Sequence, residues 1–476
     1  MQMSFQSTDR PFEAKPDVAE SLANAHEQYS RAVLRNSGPN FGFVFLWLLT
    51  FVIYARPEDL FPMVAPLHLT FVFAACATVI CGCALMLKKT HLPWTIETKL
   101  VVLLSAWFVV GIPFAFWKSG SLDVLTHVWA KTVLVYLLLT LTLTTLNRIY
   151  VLLWAILLSE LLATGFSILQ PSRALWVGER IYGANTGFLG WNFLGIAAAM
   201  TIPYIAVIFI TRRSALSTSL LVATSLSMLW MLILTASRGG FLNVIFSVVL
   251  TSLFLLRSSS RGRIAGISIA AVLLMGVVFA PPVFWDRLGT LWNSSDTPAY
   301  TEQFHSELEE LAAEESTEGR MELLHRSIQY TLEHPIFGLG LGNFNLVSGA
   351  HHSGEPNAWM GTHNTFTQIS SEAGLPAVTL YLALLTVAIR SMYRIRRRAC
   401  QGQRQPELML MSSATLVSLL SFAFGACVAH LAYDYYFFYI VAIAAALRCI
   451  ASKLDPAMSI NRQYSDNAAR VPAFAQ

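Results

Sequence analysis

The chain has 476 residues, of which 55% are hydrophobic and only 13% are charged. A soluble protein of this length would carry about a quarter charged residues, so this composition and the mean hydropathy of +0.54 exclude an ordinary soluble enzyme. The formal net charge is +4, and no basic module interleaved with aromatic residues is present, which argues against a nucleic-acid partner. We therefore expect a membrane protein.

The six cysteines do not form a metal-binding pattern. Cys81 and Cys83 are too close in sequence for zinc-ligand spacing, and no histidine lies nearby. We interpret all six as small side chains that pack within the protein or against lipid, and we expect no metal and no cofactor. They are Cys76, Cys81, Cys83, Cys400, Cys427 and Cys449.

Twelve apolar runs are each long enough to cross a hydrocarbon core about 30 Å thick. Residues 1–40 are polar and lack an apolar signal region, so we expect them to form a cytoplasmic tail, with a second tail at 452–476. The spans fall in two blocks, 41–281 and 366–451. They are predicted at 41–60, 67–87, 98–117, 123–145, 149–169, 189–210, 215–234, 238–256, 263–281, 366–389, 407–428 and 431–451.

The basic residues are distributed unevenly between the loops, and this predicts the orientation. Cytoplasmic loops of membrane proteins carry an excess of Lys and Arg. The loops after odd-numbered spans hold few basic residues, namely Arg56, Lys118, Arg173, Arg180 and Arg238. Those after even-numbered spans hold Lys88, Lys89, Arg148, Arg212, Arg213, Arg257, Arg261, Arg263, Arg390, Arg394, Arg396, Arg397 and Arg398. Both termini are therefore predicted to be cytoplasmic.

One long hydrophilic stretch, residues 282–365, falls on the outer side between the ninth and tenth spans. It is acidic over 302–318. The apolar residues within Arg320–Glu333 predict an amphipathic helix, which Pro335 ends. The glycine run 338–342 is expected to form a flexible turn. Because functional residues concentrate on loops, we expect chemistry or recognition in this stretch.

Ser237-Arg238-Gly239-Gly240 lies where the seventh span ends and the eighth begins, on the predicted outer side. Ser237 can cap the eighth helix, Arg238 adds a fixed charge, and the glycines permit close approach. The free N–H groups and positive dipole end of the helix would then form an anion site. The alternative is an interfacial Arg238 that extends to lipid headgroups.

Two arginines lie on the amphipathic helix of the outer loop. Arg320 begins it, and Arg326 lies on a different face. Basic residues are few here among many glutamates, so salt bridges with neighbouring glutamates are the alternative explanation for both arginines, and the stronger one for Arg326.

His363-Asn364 precedes the tenth span, again on the outer side. Histidine is the side chain best able to take a proton near neutral pH. A lone histidine is more often structural, and the loop contains others at 305, 325, 334, 351 and 352. The pair His351-His352 has no second ligand pair at a spacing that would hold a metal.

Arg238, Arg320 and His363 are far apart in sequence but map to one side of the membrane. Two guanidinium groups can bind a diphosphate with forked hydrogen bonds and stabilise it as a leaving group. A neutral imidazole can remove the proton of an attacking sugar hydroxyl. No Asp-x-Asp element occurs in a cytoplasmic loop, which argues against a metal-held nucleotide sugar. The glycine run 338–342 follows a helix and Pro335 rather than a strand, so it is a weak dinucleotide signal.

An ordered set of short motifs flanks the long outer loop. This set resembles the O-antigen ligase and polymerase superfamily of bacterial membrane glycosyltransferases, and the similar core spans about residues 185–390. The motifs are Thr235-Ala-Ser-Arg-Gly-Gly, Gly319-Arg-Met-Glu-Leu-Leu, Glu333-His-Pro-Ile-Phe-Gly-Leu-Gly, His363-Asn-Thr-Phe-Thr-Gln and Glu372-Ala-Gly-Leu-Pro.

The resemblance implies an all-α polytopic inner-membrane enzyme, similar to the GT-C class, with about twelve transmembrane helices and short helices in one long periplasmic loop. It also implies transfer of glycan from undecaprenyl diphosphate, without metal and with inversion, to an acceptor such as lipid A-core. Arg238 and Arg320 would bind the diphosphate with Ser237, and His363 would be the base. Asn364 and Arg180, on the same side, are further candidates.

The resemblance leaves several alternatives open. It does not separate a ligase from a polymerase of O-antigen or exopolysaccharide, and some relatives glycosylate proteins. The acidic stretch 302–318 is less typical of the family. From another class, a polytopic transporter or flippase would also fit twelve spans. Such a protein should carry ionisable residues near mid-membrane, and candidates such as Glu160 and Asp434 are few.

Overall fold

The protein is described here by a computed structural model over most of its length. The structure describes residues 40–173, 175–177, 180–183, 191–212, 214–255, 285, 317–355, 357–402 and 405–454. Both predicted tails, the predicted span 263–281 and nearly all of the acidic stretch 302–318 lie outside these residues.

The described chain is built almost entirely from helices. They are α1 (Phe41–Ala55), α2 (Leu69–Met86), α3 (Ile96–Gly111), α4 (Lys118–Thr142, with a π-helical turn at Val124–Trp129), α5 (Leu146–Leu169), α6 (Trp191–Thr211), α7 (Ala215–Thr235), α8 (Arg238–Phe254), α9 (Thr317–Glu333), α10 (Phe344–His351), α11 (Thr365–Gly402), α12 (Pro406–Gly425) and α13 (Tyr435–Leu454). Short helical turns occur at Pro57–Leu60, Pro62–Leu67, Ile112–Phe114 and Pro171–Arg173.

Nine helices among the described residues are long and apolar enough to cross a membrane, and α1 and α8 are shorter apolar helices. Together these eleven elements correspond to eleven of the twelve predicted spans, so the prediction of an all-α polytopic membrane protein is confirmed. The amphipathic helix of the outer loop is also present as α9, which ends two residues before Pro335.

Two features of the fold differ from the sequence prediction. A small antiparallel hairpin pairs β1 (Leu175–Val177) with β2 (Arg180–Gly183), in the register Val177 opposite Arg180. The arginine run 390–398 was predicted to be a loop, but α11 continues through it to Gly402. A long helix therefore carries this basic cluster beyond the predicted end of the span at residue 389.

Polar side chains fix the ends of several helices. Asn40 and Thr95 accept hydrogen bonds from backbone N–H groups in the first turns of α1 and α3. The tight connection between α4 and α5 is closed by Thr145, which caps α5, and by Arg148, which donates to the Thr142 carbonyl at 2.9 Å. Each cap satisfies backbone groups that a helix end leaves without a partner.

Small residues allow α6, α8 and α12 to pack closely. A Cβ added at Gly195 of α6 would lie 2.3 Å from the Cα of Gly240 in α8. Helix α12 also packs against α6, where the Ser418 hydroxyl donates to the Met200 carbonyl at 2.7 Å. Close approach of small residues and interhelical hydrogen bonds drive helix association in lipid, where hydrophobic burial between helices contributes little. This tight group of helices supports the start of α8, where Arg238 lies.

An ion pair joins the two helices α3 and α13. Arg448 Nη1 donates to both carboxylate oxygens of the buried Glu97, at 2.9 and 3.0 Å. These two hydrogen bonds partner a carboxylate that would otherwise be costly to bury.

Candidate active site

The turn between α7 and α8 presents Arg238 as the first residue of α8. Ala236 adopts a left-handed conformation, with φ of 47°, and reverses the chain after α7. Ser237 then accepts a hydrogen bond from the Gly240 N–H at 3.1 Å, as the predicted helix cap. The Ser237 hydroxyl also donates to Asn192 Oδ1 at 2.6 Å. The cap is therefore held from α6 as well as from α8.

Residues 426–434, which we call the α12–α13 connector, contact this turn directly. Asn192 Nδ2 donates to the Val428 carbonyl at 3.0 Å. A Cβ added at Gly239 would lie 3.2 Å from Val428 Cγ2, and the same distance from Asn192 Oδ1. Glycine thus permits the α8 terminus to lie against the connector.

The start of α11, which carries His363 and Asn364 just before it, is hydrogen-bonded to the same connector. The Thr365 N–H donates to the Ala426 carbonyl at 2.8 Å, and the Thr365 hydroxyl donates to the Ala429 carbonyl at 2.7 Å. Asn364 Nδ2 donates to the Cys427 carbonyl at 3.3 Å. Two sequence-predicted site elements, 125 positions apart, are thus fixed on one four-residue stretch, 426–429.

Asn364 has a clear structural role at this point. Its side-chain oxygen accepts hydrogen bonds from the N–H groups of Phe366 and Thr367, at 2.9 and 3.1 Å, and so caps α11. The sequence suggested Asn364 as a site residue, and the structure shows it holding the helix that follows His363.

His363 is buried, with 9% of its surface exposed, and its backbone is left-handed with φ of 48°. Its ring meets the ring of His430, in the connector, edge to face with the centroids 5.2 Å apart. His430 itself is exposed. His430 is not predictable as a site residue, because it lies between two apolar runs without a recognisable motif.

The two arginines of α9 differ in their surroundings. Arg326 is 5% exposed and pairs with Glu322 and Glu355, and it donates to Ser348 Oγ at 3.2 Å. The salt-bridge explanation is therefore confirmed for Arg326. Arg320 lies near the start of α9 and is partly exposed. Six residues separate the two along the helix, which places them on different faces.

The glycine run after α9 is not the flexible turn that the sequence suggested. The N–H groups of Leu339 and Gly340 each donate at 2.8 Å to a carbonyl of α11, namely Ser371 and Glu372. Those carbonyls are free because α11 is kinked at Gly374, where φ is 84°. A Cβ at Gly374 would lie 1.9 Å from the Ile336 carbonyl oxygen, so only glycine fits. The prediction of flexibility is wrong, because the kink supplies hydrogen-bond partners.

A buried glutamate connects this glycine run to the connector. Glu372 Oε2 accepts a hydrogen bond from the Gly342 N–H at 2.9 Å and one from the Tyr433 hydroxyl at 2.6 Å. Glu372 begins the motif Glu372-Ala-Gly-Leu-Pro, and the sequence alone predicts no role for it. The α12–α13 connector thus contacts three motif elements: the Arg238 turn, the start of α11, and the run that follows α9.

The remaining candidates are Arg180, His351 and His352. Arg180 begins β2, and its side chain is not among the parts of the chain that the structure describes. His351 lies 3.4 Å from the Tyr330 hydroxyl, and His352 lies 3.2 Å from Glu355, so both have local partners in the loop.

Residues 223–382 match the family model described as O-antigen ligase. This part of the chain is similar to the O-antigen ligase family. This confirms the resemblance to the O-antigen ligase superfamily, and the matched stretch includes Arg238, Arg320 and His363. No curated protein matches the chain. The match supports a multi-pass membrane enzyme of ligase or polymerase type whose partners are, in general, a lipid-linked glycan and an acceptor.

Proposed function

We propose that the protein is a glycosyltransferase that moves glycan from undecaprenyl diphosphate to an acceptor hydroxyl, of lipid A-core or a similar molecule, at the periplasmic face of the inner membrane. One observation carries the proposal: residues 426–429 accept hydrogen bonds from Asn192, which holds the Ser237 cap, and from the start of α11, which follows His363. A cationic helix terminus and an imidazole attached to one short segment suit a reaction with an anionic leaving group and a proton to remove.

The donor diphosphate is assigned to Arg238 and Arg320. Arg238 begins α8, where the positive end of the helix dipole adds to its charge. Ser237 orients this terminus by capping it. Guanidinium groups can bind phosphate oxygens with two parallel hydrogen bonds each. The same contacts strengthen as the bond to the sugar breaks and negative charge develops on the departing diphosphate.

His363 is assigned as the base. The acceptor oxygen attacks the anomeric carbon of the donor sugar from the face opposite the diphosphate, and its proton passes to a neutral imidazole nitrogen of His363. The bond between the anomeric carbon and the diphosphate oxygen breaks, and undecaprenyl diphosphate leaves with the electron pair. The configuration at the anomeric carbon is inverted. No metal is needed, because the arginines supply the positive charge.

The orientation is proposed from the basic residues. With Arg390, Arg394 and Arg396–Arg398 on the cytoplasmic end of α11, its other end, next to His363, faces the periplasm. Both termini are then cytoplasmic, and the loop 282–365 is periplasmic.

A polymerase of the same superfamily would share this chemistry and differ in its acceptor. The test is transfer by the purified protein in detergent, with one lipid-linked glycan donor and two acceptors offered separately: lipid A-core and a second lipid-linked glycan. Transfer to lipid A-core alone supports the ligase, and extension of the lipid-linked glycan supports the polymerase. Movement of the donor across a proteoliposome membrane, without transfer to either acceptor, would overturn the proposal in favour of a flippase.

A further inference from the structure

His430 lies in contact with the proposed base on one side and with the backbone at Gly361 on the other. A Cβ added at Gly361 would lie 3.3 Å from two ring atoms of His430. The His363 ring meets it edge to face, with the centroids 5.2 Å apart. The segment that carries His363 therefore lies along His430, which belongs to a different part of the chain.

Hydrogen bonds at the two residues next to His430 also fix its place in the structure. The Ala429 carbonyl, immediately before it, accepts from the Thr365 hydroxyl at 2.7 Å. The Leu431 N–H, immediately after it, donates to the same hydroxyl oxygen at 3.0 Å. Thr365 is two residues from His363, so one buried threonine sets the spacing of the two histidines.

The two rings differ in their access to solvent: His430 is exposed and His363 is buried. A ring packed edge to face against a buried imidazole restricts the orientations that the imidazole can adopt.

We propose that His430 is a positioning residue of the glycosyl-transfer site, which orients the His363 ring through the contact between the two rings. This inference rests on the proposed function, because it takes His363 as the base. His430 itself is not required to touch the reacting atoms.

The test compares kcat in the transfer assay between two variants, with donor binding measured in parallel. His430→Phe keeps an aromatic ring beside His363 and Gly361, whereas His430→Ala removes the ring. His430→Ala should lower kcat by about tenfold, because the imidazole of His363 is no longer held in one orientation. His430→Phe should restore kcat to within about threefold of the wild type, and donor binding should be unchanged in both.

Two further variants make the outcome decisive. His325→Ala removes an exposed histidine of α9 and should keep the wild-type kcat. If His430→Ala also keeps the wild-type kcat while His363→Ala is inactive, the role of His430 is overturned and the proposed function stands. If His430→Phe loses as much activity as His430→Ala, orientation by ring contact is likewise overturned. Full activity of His363→Ala would instead overturn the proposed function.

Discussion

The Tyr433 hydroxyl donates a 2.6 Å hydrogen bond to Glu372, and both side chains are buried. This contact joins the α12–α13 connector to the kinked part of α11. Through Gly342, whose N–H donates to the same carboxylate oxygen, it also fixes the glycine run that follows α9. The contact therefore sets the relation between the helix that carries Arg320 and the segment that holds Arg238 and His363.

Tyr433→Phe tests this contact. The change removes one partner of a buried carboxylate, which typically costs about 1–3 kcal/mol. We expect a lower melting temperature in detergent, together with a loss of transfer activity at temperatures where the protein is still folded. Tyr393→Phe is the matched control, because Tyr393 lies on α11, the helix that carries Glu372, and is 49% exposed. Equal stability of the two variants would show that the Tyr433 contact is dispensable.

The kink in α11 gives a second prediction. Gly374→Ala places a Cβ into the Ile336 carbonyl and puts alanine at φ of 84°. The backbone conformation alone costs about 1–3 kcal/mol, and the clash adds to it, so we expect little folded protein by size-exclusion chromatography. Gly82→Ala in α2 is the control, since a Cβ there meets nothing within 4 Å. A helix-interior alanine should leave stability equal or slightly higher.

The orientation gives a third prediction. Reporter fusions at Arg261 and Arg397 should read cytoplasmic, and a fusion at Ser316 should read periplasmic. The reason is that Lys and Arg concentrate in the loops that follow even-numbered spans. A periplasmic signal at Arg397 would contradict both the orientation and the assignment of the site to the periplasmic face.

The arginines give a fourth prediction. Arg238→Lys and Arg320→Lys each replace a planar fork with a point charge. Loss of a charge-assisted hydrogen bond of about 1.5–3 kcal/mol corresponds to about a 10- to 100-fold loss of kcat/KM. Donor binding should weaken in both, while expression and insertion stay near normal.

Arg326→Lys is the matched control on α9. Arg326 is buried between Glu322 and Glu355, so this variant should lose stability but keep its activity per folded molecule. If Arg320→Lys behaves like Arg326→Lys, Arg320 is structural and the diphosphate contact must be sought elsewhere.

The periodic and chemical patterns in the sequence predicted the helices well, since apolar runs of membrane length have few other solutions. The α9 helix and the Ser237 cap were likewise predictable from local residues. The order around Gly338–Gly342 was not predictable. It depends on carbonyl groups of another helix, α11, which the break at Gly374 makes available to the glycine run. His430 was missed for the same reason. Its significance comes from its contact with His363, 67 positions away, which no local pattern contains.

For Arg326, the structure decides between two explanations that the sequence already offered. The sequence offered a salt bridge and a functional role as competing explanations for both arginines of α9. The structure decides for Arg326, where two glutamates and a serine surround a buried guanidinium. Composition indicated that glutamates were available, but the partner Glu355 lies 29 positions away, in another part of the loop.

The last prediction assigns His363 to one chemical step. General base catalysis contributes about 10²–10⁴ in rate, so His363→Ala should reduce turnover by about that factor. His363→Asn should do the same, and it is the safer variant because asparagine tolerates the left-handed backbone at this position. Donor binding should survive in both, since the diphosphate contacts are assigned to Arg238 and Arg320.

The controls for this prediction are His351→Ala, His352→Ala and the wild-type enzyme treated with a chelator, all of which should remain active. Glycan transfer from purified lipid-linked donor is measured in detergent, and donor binding is measured separately. If the His363 variants lose donor binding while the lysine variants at Arg238 and Arg320 still bind normally, the roles are reversed. His363 would then contact the diphosphate, and the proton acceptor would have to be another group near the connector, with His430 the first to test.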